Sequence, residues 1–284
     1  MNNVIVVGGS GQLGQCLKEV VSGRSQDFNF IFLSRAELDC LDEEQTKTVF
    51  GQYEPVYCIN CAAYTAVDQA EEDFDYAFQV NEFAVKKLAE NCLKSGTVLI
   101  HISTDFVFDG SSSIPLTETL HTSPVNIYGL SKLKGEQEIQ GMMEKYYIIR
   151  TSWLYSEKAN NFVKTMLKLA QSRTELAVIY DQVGTPTYAM DLAEVILTLI
   201  ENDPESYGIY HYSNEGVASW YDFAKAIFEF AEVDMKVTPV ASSAFITQAK
   251  RPHYSVLDKT KIKTVLGIEI PYWRDSLNRC VQEL

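Results

Sequence analysis

The sequence predicts an α/β fold in which a doubly wound parallel sheet is joined to a smaller, partly interleaved α/β lobe. Three observations support this: apolar runs alternate with helical segments, a glycine-rich turn follows the first run, and the alternation loosens after about residue 152. This is the pattern of a Rossmann sheet, which binds ligands at the carboxyl ends of its strands. We therefore predict a Rossmann domain over residues 1–152 and a mainly substrate-binding lobe over residues 153–284, with some segments returning to the sheet.

The first half of the chain is predicted to contain five strands with helices between them. Continuous apolar runs, typical of strands buried on both faces, cover residues 3–7, 28–33, 55–60, 97–103 and 146–150. One helix should begin near Gly11 and end near Gly23, and others should cover 43–53 and 74–95. The next helix should begin at Ser123-Pro124, with serine as its N-cap and proline in its first turn.

The second half is predicted to be mixed. Helices are expected over 160–172 and 218–232, and a strand running into a loop is expected over 175–187. The polar loop 109–118 lies beside a strand end and is a candidate lid.

Composition and charge exclude several classes of function. The net charge is −14, with 24 basic against 38 acidic residues, which argues against a general nucleic-acid or anionic-membrane binder. No basic leader precedes the first strand, and no apolar run approaches the roughly 20 residues of a membrane helix. The six scattered cysteines do not suggest a disulfide framework, and Cys58 and Cys61 are interpreted as core thiols. We therefore expect a cytoplasmic protein.

The turn after the first strand carries a dinucleotide-binding pattern. Gly8, Gly11 and Gly14 are spaced G-x-x-G-x-x-G between a strand and a helix, where backbone without Cβ atoms can approach a pyrophosphate. The second strand ends in Ser34 and Arg35, which would suit the 2′-phosphate of NADPH, although Arg35 could equally be a solvated surface charge. The prediction is NADPH, with NADH not excluded.

Tyr128 and Lys132 lie one helical turn apart, on the same face of the helix predicted after Pro124. A free phenol has a pKa near ~10, and a neighbouring ammonium should lower it enough to make tyrosine a proton donor to a carbonyl oxygen. Such a pair also occurs by chance on amphipathic helices. Here Ser103 and Thr104 end the fourth strand at the same edge of the sheet and can offer a hydroxyl to that oxygen.

Longer motifs give the chain a resemblance to the extended short-chain dehydrogenase/reductases and, within them, to the dTDP-4-dehydrorhamnose reductase family. The resemblance covers nearly the whole chain. Its most specific stretches are STDFVFDG (103–110), YGLSKLKGE (128–136), RTSWLYS (150–156), DQVGTPT (181–187) and RPHYSVLD (251–258). It implies an NAD(P)H-dependent reductase of dTDP-4-dehydro-β-L-rhamnose that acts in dTDP-rhamnose and cell-surface polysaccharide biosynthesis.

The resemblance also implies roles for individual positions. Tyr128 would be the proton donor, Lys132 its cationic and ribose-binding partner, and Thr104 the hydroxyl that steers the sugar carbonyl. Asp105 and Trp153 would contact the nucleotide-sugar substrate. The other cofactor-binding positions that the resemblance implies are Gly11, Gln12, Leu13, Asp39, Cys40, Ala62, Ala63, Tyr64 and Thr65. They add to Gly8, Gly14 and Arg35, which the glycine turn and the end of the second strand indicate.

Two departures from the family pattern qualify the resemblance. Phe106 stands where the family usually has tyrosine, so a substrate contact is in doubt there. Some members form a magnesium-bridged dimer, but the corresponding positions are Cys16 and Met190, which are poor magnesium ligands. No magnesium or other metal site is therefore predicted, and the four histidines lack metal-ligand spacing. The resemblance is compatible with a homodimer lacking that bridge.

Alternative functions stay open at this stage. The chain could be another nucleotide-sugar epimerase, dehydratase or reductase of the same superfamily, or a non-catalytic NADP-binding regulatory subunit. Phe106 follows Thr104-Asp105 where dehydratases would have a second carboxylate, and the intact Thr104, Tyr128 and Lys132 argue against a purely regulatory role. Lys250 and Arg251 could neutralise the substrate pyrophosphate or could be an ordinary solvated pair. His101 is predicted to pack in a strand under the site.

Overall fold

The computed structural model describes residues 2–22, 24 and 27–284, and its centre is a six-stranded parallel sheet. The strands are β1 (Asn2–Val7), β2 (Phe28–Leu33), β3 (Tyr57–Asn60), β4 (Val98–Thr104), β5 (Tyr146–Thr151) and β6 (Gly208–His211). Their order across the sheet is β6-β5-β4-β3-β1-β2. This arrangement confirms the predicted α/β class with a doubly wound parallel sheet.

Helices pack on both faces of the sheet, which explains the continuous apolar runs. They are α1 (Gln12–Ser22), α2 (Glu43–Tyr53), α3 (Phe74–Phe78), α4 (Ala84–Ser95), α5 (Ile127–Met142), α6 (Phe162–Ala170), α7 (Ala189–Asn202), α8 (Trp220–Phe230), α9 (Thr260–Leu266) and α10 (Trp273–Gln282). Along β1, Val4 and Val6 pack in the core formed with α1 and α7. Ile5 and Val7 point to the opposite core, formed with α2 and α4.

The predicted start of the helix that carries Tyr128 is wrong by a few residues. The helix begins at Ile127, and Asn126 is its N-cap because Asn126 Oδ1 accepts a hydrogen bond from Gly129 N at 2.7 Å. Ser123 instead donates its backbone N–H to Val107 O, so the Ser123-Pro124 segment is still part of the preceding loop. The predicted end of the first helix at Gly23 lies outside the described residues.

The long helix predicted over 74–95 contains a π-helical turn. Gln79–Phe83 joins α3 to α4, and the Asn81 carbonyl there approaches α5 so closely that a Cβ on Gly135 would lie 2.1 Å from it. Asn81 also holds the loop after β3, because Tyr64 N donates to its Oδ1 at 2.9 Å and its Nδ2 donates to Tyr64 O at 3.0 Å. Glycine at 135 therefore lets the helix that carries Tyr128 pack directly against this turn.

The second half of the chain builds a smaller lobe and returns twice to the main sheet. Helices α6, α8 and α10 share one core, and the predicted strand over 175–187 is divided into Glu175–Ile179, Val183–Gly184 and the start of Thr187–Tyr188. Helix α7 packs on α1, and β6 pairs with β5. Within the described residues, no helix is both long and apolar enough to cross a membrane.

The polar loop 109–118 is fastened to the body of the protein at its second half. Leu116 is buried, donates its backbone N–H to Val256 O, and its carbonyl accepts from His211 Nδ1 at 2.9 Å. Glu118 accepts from the backbone N–H of His211 at 3.1 Å. Gly110, at the start of the loop, packs closely against Pro252, so lid movement would be limited to residues 111–115.

Candidate active site

Side chains have no room at two of the three predicted glycines, one in the turn between β1 and α1 and one in the first turn of α1. Gly8 has φ +77°, and a Cβ on it would lie 2.8 Å from Ala62 N. A Cβ on Gly14 would lie 2.5 Å from Gly8 O. The turn delivers the backbone to the N-terminus of α1, where unpaired N–H groups and the helix dipole favour a negatively charged group.

A cavity of about 290 Å³ opens between this turn and the ends of β2 and β3. It brings together many of the predicted cofactor-binding residues, namely Gly8, Gly11, Arg35, Asp39, Cys40, Ala62, Ala63 and Tyr64. Arg35 is exposed, contacts the Tyr76 hydroxyl, and its Nε lies 3.5 Å from Asp39 Oδ2. The cation therefore lies beside the cavity with its side chain 67% exposed.

A second cavity, of about 440 Å³, continues from the first past the ends of β4 and β5. The two cavities share Cys61 and Ala63 in their walls. The second brings together the other predicted residues, Gln12, Leu13, Thr65, Thr104, Asp105, Tyr128, Lys132 and Trp153. Gly14 instead packs behind the turn.

Helix α5 presents Tyr128 to this second cavity from a tightly packed first turn. A Cβ on Gly129 would lie 2.2 Å from Phe106 O, so glycine there lets the helix contact the segment after Thr104. The Phe106 ring meets the Tyr128 ring edge-on, with centroids 5.7 Å apart. Phe106 thus packs on the catalytic candidate in place of the family's usual tyrosine.

The expectation that Lys132 lowers the pKa of Tyr128 is not what this structure shows. Burial raises the pKa of the Tyr128 phenol to about 12, a hydrogen bond with the Thr104 side chain partly offsets the rise, and the Asp105 charge adds to it. Tyr128 is therefore fully protonated at neutral pH, which suits a group that donates a proton. The physical reason is that burial removes water from around the phenolate, and Lys132 is not among the groups that shift the Tyr128 pKa.

Lys132 is buried, and its side-chain nitrogen contacts two residues of strand β4. Its Nζ donates to Ile102 O at 2.7 Å and lies 3.2 Å from His101 Nε2. Burial lowers the pKa of Lys132 to about 8, although the Glu136 carboxylate works in the opposite direction. His101 is a buried strand residue under the site, as the sequence predicted.

Polar groups without partners line the far wall of the second cavity. Within the described part of the chain, Asp105 Oδ2 and Thr151 Oγ1 are buried and make no hydrogen bond. Burial raises the pKa of the Asp105 carboxyl to about 6. Buried polar atoms are nearly always paired in proteins, so these two are suited to hydroxyl groups of a bound ligand.

Trp153 stands in this wall in a strained conformation. Its φ is +47°, which is unusual for a residue with a side chain, and its ring stacks on Trp220 with centroids 3.6 Å apart. A Cβ on Gly184 would lie 2.9 Å from the Trp153 ring, so glycine there lets the backbone pack against the indole. The rigid pair presents a flat apolar surface to the cavity.

Beneath the cavity, a fully buried ion pair joins α5 to β5. Arg150 Nε lies 2.9 Å from Glu136 Oε1 and Arg150 Nη2 lies 2.6 Å from Glu136 Oε2, while Ser103 also donates to the carboxylate. Arg150 is 2% exposed and Glu136 is completely buried. The sequence gives no sign of this pair, because its members belong to different motifs and lie on different elements 14 residues apart.

Other cavity residues were also missed or uncertain. Trp220 and Asn161 line the second cavity, and Asn161 Nδ2 donates to Gln12 Oε1 at 2.8 Å. Asn161 caps α6, a signal that the sequence did carry. Arg251 also lines the cavity, where it forms an ion pair with Asp68 at 2.5 Å, and Lys250 contributes its carbonyl to Asn126.

The residues present fit a bound dinucleotide. The turn that only glycine can form, the N-terminus of α1 and the two adjoining cavities provide a continuous cleft along the carboxyl edge of the sheet. Among the described residues, no cluster of three or more His, Cys, Asp or Glu side chains could hold a metal ion. Cys16 is buried, and burial raises the pKa of its thiol to about 12, so it is not a thiolate at neutral pH.

Comparisons with known proteins extend this picture to the whole chain. The family described as "RmlD substrate binding domain" matches residues 1–284. The spore coat polysaccharide biosynthesis protein SpsK of Bacillus subtilis (strain 168) is 38% identical, covering 100% of this chain and 98% of its own. A dTDP-4-dehydrorhamnose reductase of Aggregatibacter actinomycetemcomitans is 38% identical over 98% of this chain and 97% of its own. A dTDP-4-keto-6-deoxy-D-glucose reductase of Streptomyces niveus is 34% identical over 97% and 95%.

Solved structures agree with these relatives. A dTDP-4-dehydrorhamnose reductase from Clostridium acetobutylicum ATCC 824 superimposes with a TM-score of 0.95 at 40% identity, covering 99% of both chains. That of Bacillus anthracis str. Ames, in complex with NADP, gives a TM-score of 0.94 at 38% identity and covers both chains completely. With its cleft, its glycine turn and its Thr104-Tyr128-Lys132 cluster, this chain belongs to the RmlD substrate binding domain family, alongside dTDP-4-dehydrorhamnose reductases that it matches from end to end.

Proposed function

We propose that this protein catalyses the NADPH-dependent reduction of the C4 keto group of dTDP-4-dehydro-β-L-rhamnose to give dTDP-L-rhamnose. The observation that carries the proposal is the convergence of Thr104, Tyr128 and Lys132 on one cavity, which continues into the cavity at the glycine turn. Relatives of this chain that align over nearly its full length are named as reductases of this substrate. The protein would thus act in dTDP-rhamnose biosynthesis.

The proposed chemistry adds a hydride and a proton across one C=O bond. NADPH, when bound, supplies the hydride to C4. The Tyr128 O–H would give its proton to the carbonyl oxygen. The Thr104 hydroxyl, which lines the same cavity and donates to Asp105 Oδ1 in the cofactor-free protein, would turn to hydrogen-bond that oxygen. Because the Tyr128 pKa is raised to about 12, the phenol stays protonated until negative charge develops on the substrate oxygen.

We assign the cofactor to the cleft in a definite direction. The pyrophosphate would lie at Gly11, Gln12 and Leu13, and the adenosine end would lie near Arg35, Asp39 and Cys40, which line the first cavity. Arg35 is the cation available for a 2′-phosphate, and the Bacillus anthracis relative was solved with NADP. This supports NADPH as the preferred cofactor, with NADH as the weaker alternative.

The substrate would occupy the second cavity. We propose that Asp105, with its unpaired Oδ2, hydrogen-bonds a sugar hydroxyl and that Trp153 packs against the sugar ring. Residues 153–284 would mainly provide this side of the cleft, and residues 1–152 the cofactor side. We also propose a cytoplasmic location, supported by six free cysteines. A homodimer is the oligomer to test by light scattering.

The decisive experiment is a spectrophotometric assay with purified protein. The nicotinamide absorbance of NADPH should fall when dTDP-4-dehydro-β-L-rhamnose is added, and more slowly with NADH. Tyr128→Phe should lower kcat by a factor on the order of 10²–10⁴ while NADPH binding changes little. Absence of any absorbance loss with the natural sequence would overturn the proposal, and loss of NADPH binding in Tyr128→Phe would indicate a structural role.

A second candidate differs only in the sugar. The Streptomyces niveus relative is named as a reductase of dTDP-4-keto-6-deoxy-D-glucose, so the same assay should include that compound. The preferred substrate is the one with the higher kcat/KM. Tightly bound NAD in the purified protein would instead favour an epimerase, and NADPH binding without turnover on any keto sugar would favour a regulatory subunit.

A further inference from the structure

We propose that Asn60 and His101 set the proton affinity of Lys132, because their hydrogen bonds favour its neutral amine over its ammonium when no cofactor is bound. The two are positioning residues that act through Lys132. Their catalytic importance rests on the proposed function, whereas the protonation state itself does not.

The three side chains form one line of contacts beneath the cleft. Asn60 ends β3, His101 faces it on β4, and Lys132 reaches them from α5. Asn60 Nδ2 lies 3.1 Å from His101 Nδ1, and His101 Nε2 lies 3.2 Å from Lys132 Nζ. The exposed fractions of Asn60, His101 and Lys132 are 3%, 0% and 1%, so water cannot replace these contacts freely.

The orientation of the Asn60 amide is fixed at its other end. The backbone N–H of Ala62 donates to Asn60 Oδ1 at 3.1 Å, so the oxygen faces Ala62 and the NH₂ group faces His101. His101 Nδ1 must then be the acceptor, and it carries no proton. A neutral imidazole has one N–H, which is therefore on Nε2 and points at Lys132.

An N–H group cannot hydrogen-bond to an ammonium, because both are donors only. Lys132 must therefore present a lone pair to His101 Nε2, which requires a neutral amine, and one of its own N–H groups donates to Ile102 O at 2.7 Å. This is the one assignment in which every contact along the line is a hydrogen bond. An imidazolium is excluded because its Nδ1–H would face the Asn60 NH₂ group.

Protonation of Lys132 has a defined structural cost. His101 would have to move its proton to Nδ1, and Asn60 would then have to turn its oxygen to His101 and its NH₂ group to the Ala62 N–H. If Asn60 turns, the Ala62 N–H loses its acceptor, and if Asn60 does not turn, its NH₂ group and the His101 Nδ1–H face each other as two donors. One hydrogen bond is lost in both arrangements. Because Ala62 lines the first cavity, a cofactor that displaces this backbone also changes the proton affinity of Lys132.

The surroundings of Lys132 are consistent with this arrangement. Its titratable neighbours are His101 on β4, Cys61 after β3 and Glu136 on its own helix, and the Glu136 carboxylate is already paired with Arg150. Burial lowers the pKa of His101 well below its usual range, and it lowers that of Lys132 to about 8. Neither group competes for a proton at neutral pH as strongly as it would in water.

Nuclear magnetic resonance of the cofactor-free protein tests the proposal directly. With ¹⁵N-labelled histidine and ¹³Cε-labelled lysine, His101 should be protonated at Nε2, and Lys132 should titrate near pH 8. The signals can be assigned by their loss in His101→Gln and Lys132→Met. A His101 protonated at Nδ1 in the natural sequence, or a Lys132 that stays charged above pH 10, would overturn the proposal.

Asn60→Asp provides a nearly isosteric reversal. A carboxylate can accept from both the Ala62 N–H and His101 Nδ1–H, so the proton should move to Nδ1 and free Nε2 to accept from a charged Lys132. The Lys132 midpoint should rise by at least one pH unit, a tenfold gain in proton affinity. A higher Lys132 midpoint with the proton still on His101 Nε2 would reflect only the added charge. It would contradict the proposed line of contacts from Asn60 through His101 to Lys132.

His101→Leu is a second variant that does not depend on the first. It removes the N–H that faces Lys132 while keeping the site apolar, and the Lys132 midpoint should again rise. An unchanged midpoint would refute the role of His101. Neither measurement needs turnover, so inactive protein with the expected spectra refutes only the proposed function, and active protein with unshifted midpoints refutes only this inference.

Discussion

Arg150→Met should destabilise the protein strongly, because it leaves a buried carboxylate without its cation. The guanidinium makes two close contacts with Glu136, at 2.9 and 2.6 Å, and both side chains are almost completely inaccessible. Removing one partner of such a pair typically costs about 3–5 kcal/mol of unfolding free energy. That is a large part of the roughly 5–15 kcal/mol that stabilises an ordinary domain.

The pH dependence distinguishes a stranded carboxylate from a stranded guanidinium. In Arg150→Met, the Glu136 carboxyl can bind a proton in the folded state and become neutral, so the loss of stability relative to the natural sequence should shrink towards pH 5. In Glu136→Gln, the Arg150 guanidinium stays charged at every accessible pH, so the loss should remain. Urea unfolding followed by circular dichroism at pH 5 and pH 7.5 gives both differences.

Two further variants complete this experiment. Glu175→Gln breaks the Lys236–Glu175 pair, whose side chains are 69–73% exposed, and should have no measurable effect on unfolding. Replacing both buried partners, Arg150→Met with Glu136→Leu, should recover much of the lost stability. A cost below about 1 kcal/mol for Arg150→Met, or equal pH dependence for the two single variants, would refute the reasoning.

The other predictions concern the turn, the helix cap and the buried lysine. Gly14→Ala should abolish NADPH binding in a fluorescence titration, because its Cβ would lie 2.5 Å from a backbone oxygen, whereas Gly51→Ala, with nothing within 4 Å, should bind normally and gain about 0.5–1 kcal/mol of stability. Equal NADPH binding by the Gly14→Ala and Gly51→Ala variants would contradict the close packing at Gly14. Asn126→Ala should lower the unfolding free energy in urea by about 1 kcal/mol, and Ser123→Ala should leave it almost unchanged. A larger loss in Ser123→Ala would indicate that Ser123 is the N-cap after all. Between pH 8 and 10.5 the unfolded chain holds the Lys132 proton and the folded chain does not, so the natural protein should gain up to about 3 kcal/mol of unfolding free energy over this range. Lys132→Met should lack this gain. A stability difference between variant and natural protein that is independent of pH would refute the prediction.

Much of the sheet could be predicted from the sequence because its central strands β1, β3, β4 and β5 are largely buried on both faces and read as apolar runs. The start of α5 was misjudged because Ser123-Pro124 and Asn126 both satisfy local capping rules. The choice between them depends on contacts distant in sequence: Ser123 N donates to Val107 O, and Asn126 Nδ2 donates to Lys250 O. Local pattern cannot weigh such contacts.

The candidate site was located from the sequence, but its electrostatics were not. Helical spacing placed Tyr128 and Lys132 on one face, and both do line the same cavity. The partners of Lys132 Nζ, however, are Ile102 O and His101 Nε2 on a neighbouring strand. Burial, which cannot be seen in a single residue of the sequence, decides the direction in which the pKa values of Tyr128 and Lys132 shift.

The return of Gly208–His211 to pair with β5 makes the two halves of this chain inseparable as building blocks. A fragment ending at residue 152 would leave the backbone of β5 unpaired along a hydrophobic edge, a known route to intermolecular strand pairing. Fusing a foreign substrate-binding lobe to a fragment that ends at residue 152 should therefore fail to give a folded protein. A graft that respects the topology has to replace α6, α8 and α10 together, because they share one core, and leave α7 and β6 in place.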